Sequence, residues 1–281
     1  MLRLFLLFLV IFGRKQIQEV AVVGVMNGKL LGGMIVCLIG WDCAQGQTAE
    51  QVLSAGIALE KQFKVPEALV KYNAVISLNP QSAEAWWRAS RMLSNLGGHI
   101  DKSQADEKRA KYEQARQYAL KSIALNPKNP DARLAHIISM GLLAEMAGNP
   151  REKIRDAKII REEAEATLAL DSTFAPIYFV LGKWHYELAK LNWLEQMAVK
   201  LFFGGMPENV SMDRAIEYLR KASRLEPNTI LYMYGEASVL EYEERTAEAI
   251  ALLERALKLP PKEPDDIIRK TKCEELLRAL K

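Results

Sequence analysis

The chain has 281 residues, 49% of them apolar and 26% charged, with a formal net charge of +3. That composition is ordinary for a globular protein. With residues 47–281 close to neutral, it demands neither nucleic acid nor an acidic membrane surface as a partner. There are three cysteines, and Cys37 and Cys43 lie near the N-terminus, so the rest of the chain has neither a disulfide framework nor a multi-thiolate metal site.

Two apolar runs come first, residues 2–12 and 30–41. The second follows Lys29 and runs into Ala44-Gln45-Gly46, the layout of a compact signal peptide. The expectation is a leader over residues 1–46 with Met26 as the true start. Cleavage after Gly46 would release a mature domain, residues 47–281, into the periplasm or the extracellular space. The alternative is a membrane anchor, although each run is shorter than the ~20 residues that span a bilayer. Lipid attachment wants a small residue just before the cysteine. Cys43 follows Gly40-Trp41-Asp42 and Cys37 follows Met34-Ile35-Val36, so neither suits it.

No long alternation of valine and threonine occurs, which argues against sheet. Residues 48–62 and 66–78 read as a first helical pair. A helix over 82–96 follows, closed by Gly97-Gly98, then a long helix over about 103–125 whose charge-dense first turns face water. Pro130 suits the first turn of a helix over 130–147, paired with one over 150–170. The 130–147 helix is apolar on most sides and belongs in the middle of the stack. A helix from about 175 carries Tyr178, Leu181, Gly182 and Trp184. An inserted helix over 193–203 is closed by Gly204-Gly205, and Asn209 or Ser211 caps the next helix. The last pair covers 229–243 and 246–258. A terminal helix over 265–280 places Ile267, Ile268, Leu276, Leu277 and Leu280 on that pair's open face and its polar remainder in water.

A repeat underlies these elements. In residues 213–227 (DRAIEYLRKASRLEP), Ala215, Leu219, Ala222 and Leu225 fall at helical spacing on one face, and Pro227 stops the helix. The device returns as Ala68, Tyr72, Leu78 and Pro80, then as Ala115, Ala119, Leu125 and Pro127. It returns again as Ala249, Leu253, Ala256, Leu259 and Pro261. A weaker copy over 160–172 keeps Leu170 but has Ser172 in the proline place. Gly56, in mid-helix, calls for close approach of the paired helix, because glycine there costs ~1 kcal/mol against alanine. The pattern describes an all-α chain: a right-handed α-solenoid of about five antiparallel helix pairs with a C-terminal capping helix.

These residues resemble tetratricopeptide repeats, with Gly56, Ala68, Tyr72 and Pro80, and again Tyr178, Leu181, Gly182, Ala215, Leu219, Ala222 and Pro227, at the pattern's places. A narrower resemblance lies within 181–227. Gly182-Lys183-Trp184, Leu191-Asn192-Trp193 and Phe203-Gly204-Gly205-Met206-Pro207 are similar to the regulator of microtubule dynamics family, with Gly205 and Met206 extra at the turn. The resemblance implies a non-enzymatic helical scaffold, here an exported, bacterial member. Some animal members of that family associate with microtubules, but an exported chain would not meet tubulin.

The same resemblance implies that the first helix of each pair lines a concave groove. Mapped here, the groove residues are Trp87, Arg91, Asn95, Ile138, Lys183, Tyr186, Tyr234 and Tyr242. Aromatics beside Arg and Lys suit a peptide or protein partner. Chaperone-binding repeats clamp a terminal carboxylate with Lys, Asn and Arg. Leu53 and Ile57 stand at two of those places, so no clamp is expected. The alternative is a carrier of an apolar ligand such as a lipid, with Trp193, Met197, Leu201 and Phe202 of the 191–206 insertion roofing a cavity. No cofactor or metal is expected. His99, His136 and His185 have no partner at ligand or triad spacing. Adjacent carboxylates such as Glu162 and Glu163 point ~100° apart on a helix.

Overall fold

The computed structural model describes residues 47–203, 207 and 209–281, so the leader, Gly204-Gly205 and Met206 lie outside the described residues. The described chain holds twelve α-helices and no strand. They are α1 (Ala49–Lys61), α2 (Val65–Leu78), α3 (Ala83–His99), α4 (Ala105–Leu125), α5 (Pro130–Met146), α6 (Pro150–Leu170), α7 (Ala175–Ala189), α8 (Trp193–Phe203), α9 (Met212–Leu225), α10 (Ile230–Tyr242), α11 (Thr246–Lys258) and α12 (Asp266–Leu280). A 3-10 turn, Lys102–Gln104, precedes α4. The pairs are α1/α2, α3/α4, α5/α6, α7/α9 and α10/α11. Each pair packs on the next, α3 also packs on α5, and α12 closes on α10 and α11. The α-solenoid with a C-terminal capping helix is therefore present, and α8 is the insertion inside the fourth pair.

Local chemistry sets the boundaries. Thr48 makes a reciprocal capping box with Gln51, and Ser82, Asn129, Asn149 and Ser211 each accept a first-turn amide. The exit from the second helix of four pairs is the same. Asn79, Asn126, Asp171 and Glu226 follow the last turn with φ between −145° and −130° and ψ between 79° and 98°. Proline after three of them forces this extended geometry on the residue before it. Asp171 has only Ser172 after it. It holds the same shape because its carboxylate accepts from the Thr173 amide and hydroxyl, as Asn79 and Asn126 accept from the Gln81 and Lys128 amides. That Asx turn explains how the degenerate third repeat keeps its register.

The repeat positions form the seam. Ala68, Tyr72, Ala115, Ala119, Ala215, Leu219, Ala222, Ala249, Leu253 and Ala256 are all fully buried. The last leucine varies between copies: Leu78 is 59% exposed and Leu225 37%, whereas Leu259 packs on the core. Ten residues of helix turn through about −80° from the first alanine, which moves this side chain to the shoulder of the face. As expected, Gly56 lies against the second helix of its pair, where an added Cβ would sit 2.7 Å from the Tyr72 ring. Gly97 corrects the sequence reading. It does not end its helix, which runs on to His99, and an added Cβ would collide with the Tyr112 ring. α3 and α4 are both longer than their counterparts in the first pair, and Gly97 on Tyr112 adds one more close layer to this pair. The apolar helix α5 sits mid-stack, with Ile137 and Leu142 buried. The terminal helix departs in part. Leu276, Leu277 and Leu280 pack on the last pair, but Ile267 is 62% exposed, whereas the polar Asp265, Asp266 and Arg269 are buried.

Candidate partner-binding face

The inner face is built from α3, α5, α7 and α10, the first helices of their pairs. On α3, Trp87 is 6% exposed and packs against Ala119, Ala132 and Ala135, whose small side chains leave room for the indole. The guanidinium of Arg88 stacks over its ring at 4.5 Å and that of Arg91 approaches at 5.9 Å. Trp87 is thus a packing residue between α3, α4 and α5. Arg91 is about a third exposed and pairs with Glu263 at 3.7 Å. Asn95 is buried and donates to both oxygens of Asp265 at 3.4 Å. One turn on, His99 Nε2 lies 3.8 Å from the same carboxylate. Ile138 on α5 is half-buried between the clusters around Ile137 and Leu142.

The residues that meet α3 belong to the turn that starts α12, and sequence reasoning missed them. Asp266 Oδ2 accepts from the amides of Lys262 and Glu263 at 2.8 and 3.0 Å. The buried Arg269 donates to Glu263 and Asp266, both at 2.7 Å, and lies 3.8 Å from Asp265. Burial pushes the Asp265 carboxyl up to about 6, against the pull of Arg269 and with a push from Glu263 and Asp266. The signal in the sequence was the spacing: Arg269 follows Asp266 by three and Asp265 by four, the helical pairing distances.

A second group joins α7 to α10. Lys183 and Glu187 are both buried and meet at 3.3 Å; burial lowers the lysine's pKa and Glu187 opposes that shift. The Lys183 and Lys190 ammoniums lie 4.5 and 4.4 Å from the centre of the Tyr186 ring. Lys190 also donates to the Tyr186 hydroxyl at 2.9 Å and lies 5.0 Å from the Tyr242 ring. Tyr186 and Tyr242 meet edge to face at 5.9 Å, and Tyr242 is 46% exposed. Tyr234 is half-buried under the apolar side of α12. The structure therefore divides the sequence-derived groove residues. Tyr242 is open to a partner, and Arg91 is about a third exposed beside Glu263. Asn95 and Tyr234 are covered by the chain's own C-terminal helix. Trp87, Lys183 and Tyr186 are buried in packing.

The family model described as regulator of microtubule dynamics protein 1-3 matches residues 52–281. The chain belongs to this family. The protein of that name (number 1) from Caenorhabditis elegans is 24% identical over 194 residues, 68% of this chain and 83% of the relative. The one from Bos taurus is 26% identical over 148 residues, 53% of this chain and 46% of the relative. The chain spans about half the length of most of these curated vertebrate relatives. Among solved structures, a thermophilic TPR protein of Thermus thermophilus superposes with a TM-score of 0.60 at 18% identity, covering 81% of this chain and all of that one. That likeness shows the fold: this member of the family is a helical-repeat protein of the tetratricopeptide kind.

The insertion that carries the family's motifs is held by Val199, which packs with Trp184, Leu188 and Leu191. Trp193, Met197 and Leu201, four residues apart, face outward at 74%, 55% and 78% exposure. Phe202 lies in the last turn of α8. This outward row faces solvent. Elsewhere the histidines make structural contacts. His136 Nδ1 bonds Glu163 across α5 and α6 at 2.8 Å, and His185 stacks on Tyr218 with ring centres 5.3 Å apart.

Proposed function

We propose that this chain is a non-enzymatic interaction scaffold that binds a segment of a protein partner along its inner face. The supporting observation is the strip that runs from Arg91 on α3 to Lys190, Tyr186 and Tyr242 on α7 and α10. It offers a guanidinium about a third exposed beside Glu263 and an exposed phenol ring on a rigid frame, the kind of anchors that dominate protein interfaces. Partner capture by the tagged full chain in the host that makes it tests this reading. The double substitution Arg91→Ala with Tyr242→Ala removes both anchors and spares the buried Trp87. The variant should keep the native circular dichroism and lose at least tenfold in capture. Undiminished capture by the folded variant contradicts the proposal.

Export is part of the same reading. Residues 1–46 act as the leader, and the mature chain starts at Gln47. A chain so exported does not meet tubulin, so the microtubule link in the relatives' name is not carried to this one. Intact mass of the soluble fraction should match a chain beginning at Gln47; an uncleaved, membrane-bound species contradicts export.

A further inference from the structure

The inner face at α3 already has an occupant. Arg91, Asn95 and His99 stand four residues apart, so they form one stripe of donors along the helix. Residues 262–269 lie across that stripe, with Glu263 against Arg91 and Asp265 against Asn95 and His99. Donors on one side meet carboxylates on the other. Asn95 and Asp265 are 170 residues apart in sequence, so this is not repeat packing.

Three features distinguish the contact from core. The contacts that cross to α3 are long, at 3.4–3.8 Å, and the Arg91 and Glu263 side chains are 34% and 43% exposed. By contrast, the short bonds run within the segment, from Arg269 to Glu263 and Asp266 and from the 262 and 263 amides to Asp266. The acidic turn is therefore braced internally and keeps its shape if it lifts. Finally, the rest of α12 is anchored separately, by Cys273, Leu276, Leu277 and Leu280 in the apolar core.

We propose that the Arg91–Asn95–His99 stripe is a receptor for an acidic peptide segment, and that residues 262–269 occupy it in cis until a partner with its own Glu-x-Asp run displaces them. The proposal rests on the groove reading above and adds the partner's chemistry and the means of control. A tethered segment acts at an effective concentration of ~mM, so a free peptide of equal intrinsic affinity competes poorly with it. Weakening the tethered copy should unmask the site.

The probe is a fluorescein-labelled peptide with the sequence of residues 260–271, PPKEPDDIIRKT, titrated with full-length protein and read by anisotropy. The variant Glu263→Gln with Asp265→Asn removes the two carboxylates that face α3 and keeps the Asp266 caps and the Arg269–Asp266 bond. It should bind the probe at least tenfold more tightly than the wild type. Adding Arg91→Ala and Asn95→Ala should abolish that gain, and a probe with alanine in place of its Glu and first Asp should not bind. A folded variant that binds no better than wild type overturns the proposal. If the variant does not fold, hydrogen exchange of the wild type decides. Millimolar probe should speed exchange of the amides of residues 266–270, and unchanged exchange overturns the proposal. Failure here together with lost capture by the Arg91/Tyr242 variant removes the acidic-ligand claim alone and leaves the groove standing.

Discussion

Replacing Arg269 by methionine tests whether the acidic turn is held by one buried cation. Arg269 is 3% exposed, and its guanidinium serves Glu263, Asp265 and Asp266. Methionine keeps the stem's packing and removes the charge. Asp265 and Asp266 would then stay buried, at 3% and 4% exposure, without it. Breaking a buried ion pair costs about 3–5 kcal/mol. Asp266 keeps two backbone amides and Asp265 keeps Asn95, so the lower end, about 3 kcal/mol, is expected at pH 7.5. The cost should shrink at pH 5. Asp265 already titrates near 6 in the folded chain, above its ordinary carboxylate value, and losing Arg269 raises it further. A group whose folded pKa is raised contributes stability at low pH that is lost as pH rises through that value. At pH 5 it is protonated in both proteins, and its share of the deficit disappears. Urea unfolding followed by circular dichroism at the two pH values measures both quantities. A loss under about 1 kcal/mol at pH 7.5, or one equally large at pH 5, refutes the buried-cation reasoning.

Other substitutions probe the rest of the frame. Burial, helped by Arg214 and Arg161, pulls His185 down to about 4, and its Nδ1 has no hydrogen-bond partner. Stability from this neutral ring is complete above pH 6.5 and is lost as pH falls towards 4, by up to about 3 kcal/mol. His185→Phe keeps the stack on Tyr218 and should flatten that acid-side loss; a parallel pH profile counts against it. Glu244 is exposed with φ 58°, in the left-handed region. Glu244→Gly should therefore stabilise by roughly 1 kcal/mol, whereas Glu243→Gly, at φ −87°, should destabilise. Equal losses in both would contradict the strain argument. Trp193→Ser with Leu201→Ser should change unfolding free energy by less than about 0.5 kcal/mol, because both side chains face outward. Leu219→Ala, in the fully buried seam, should cost about 2–5 kcal/mol. A large loss in the first pair would mean that α8 packs more closely than its exposure shows.

Most helix limits are legible in the sequence because the boundary chemistry is local. Pro80, Pro127 and Pro227 dictate the extended residue before them, Pro130 stands in a first turn, and Ser211 reads as a cap. The seam is legible for the same reason: Ala215, Leu219 and Ala222 share one face at helical spacing. Gly97 misleads because glycine serves both as a helix end and as a close-approach residue, and only the position of Tyr112 on the facing helix decides between them. Trp87 and Lys183 map to the groove by repeat position. Their burial depends on Ala132 and Ala135 of α5, in the next pair, and on Glu187, which repeat position does not encode. The acidic turn reads as solvated because polar residues on a capping helix usually are. Its contact with Asn95 follows from how the superhelix curls, a property summed over all five pairs and written at no single residue.

The most direct test of a partner-binding inner face is site-specific photocrosslinking of the full chain in its own host. A photoreactive phenylalanine at position 242 reports the inner face, and one at position 78, exposed on the second helix of the first pair, reports another surface. A discrete protein adduct from position 242 with none from position 78, reduced when Arg91→Ala is added, is the result expected of an inner-face scaffold. Adducts from position 78 alone, or equal adducts from both, would contradict it.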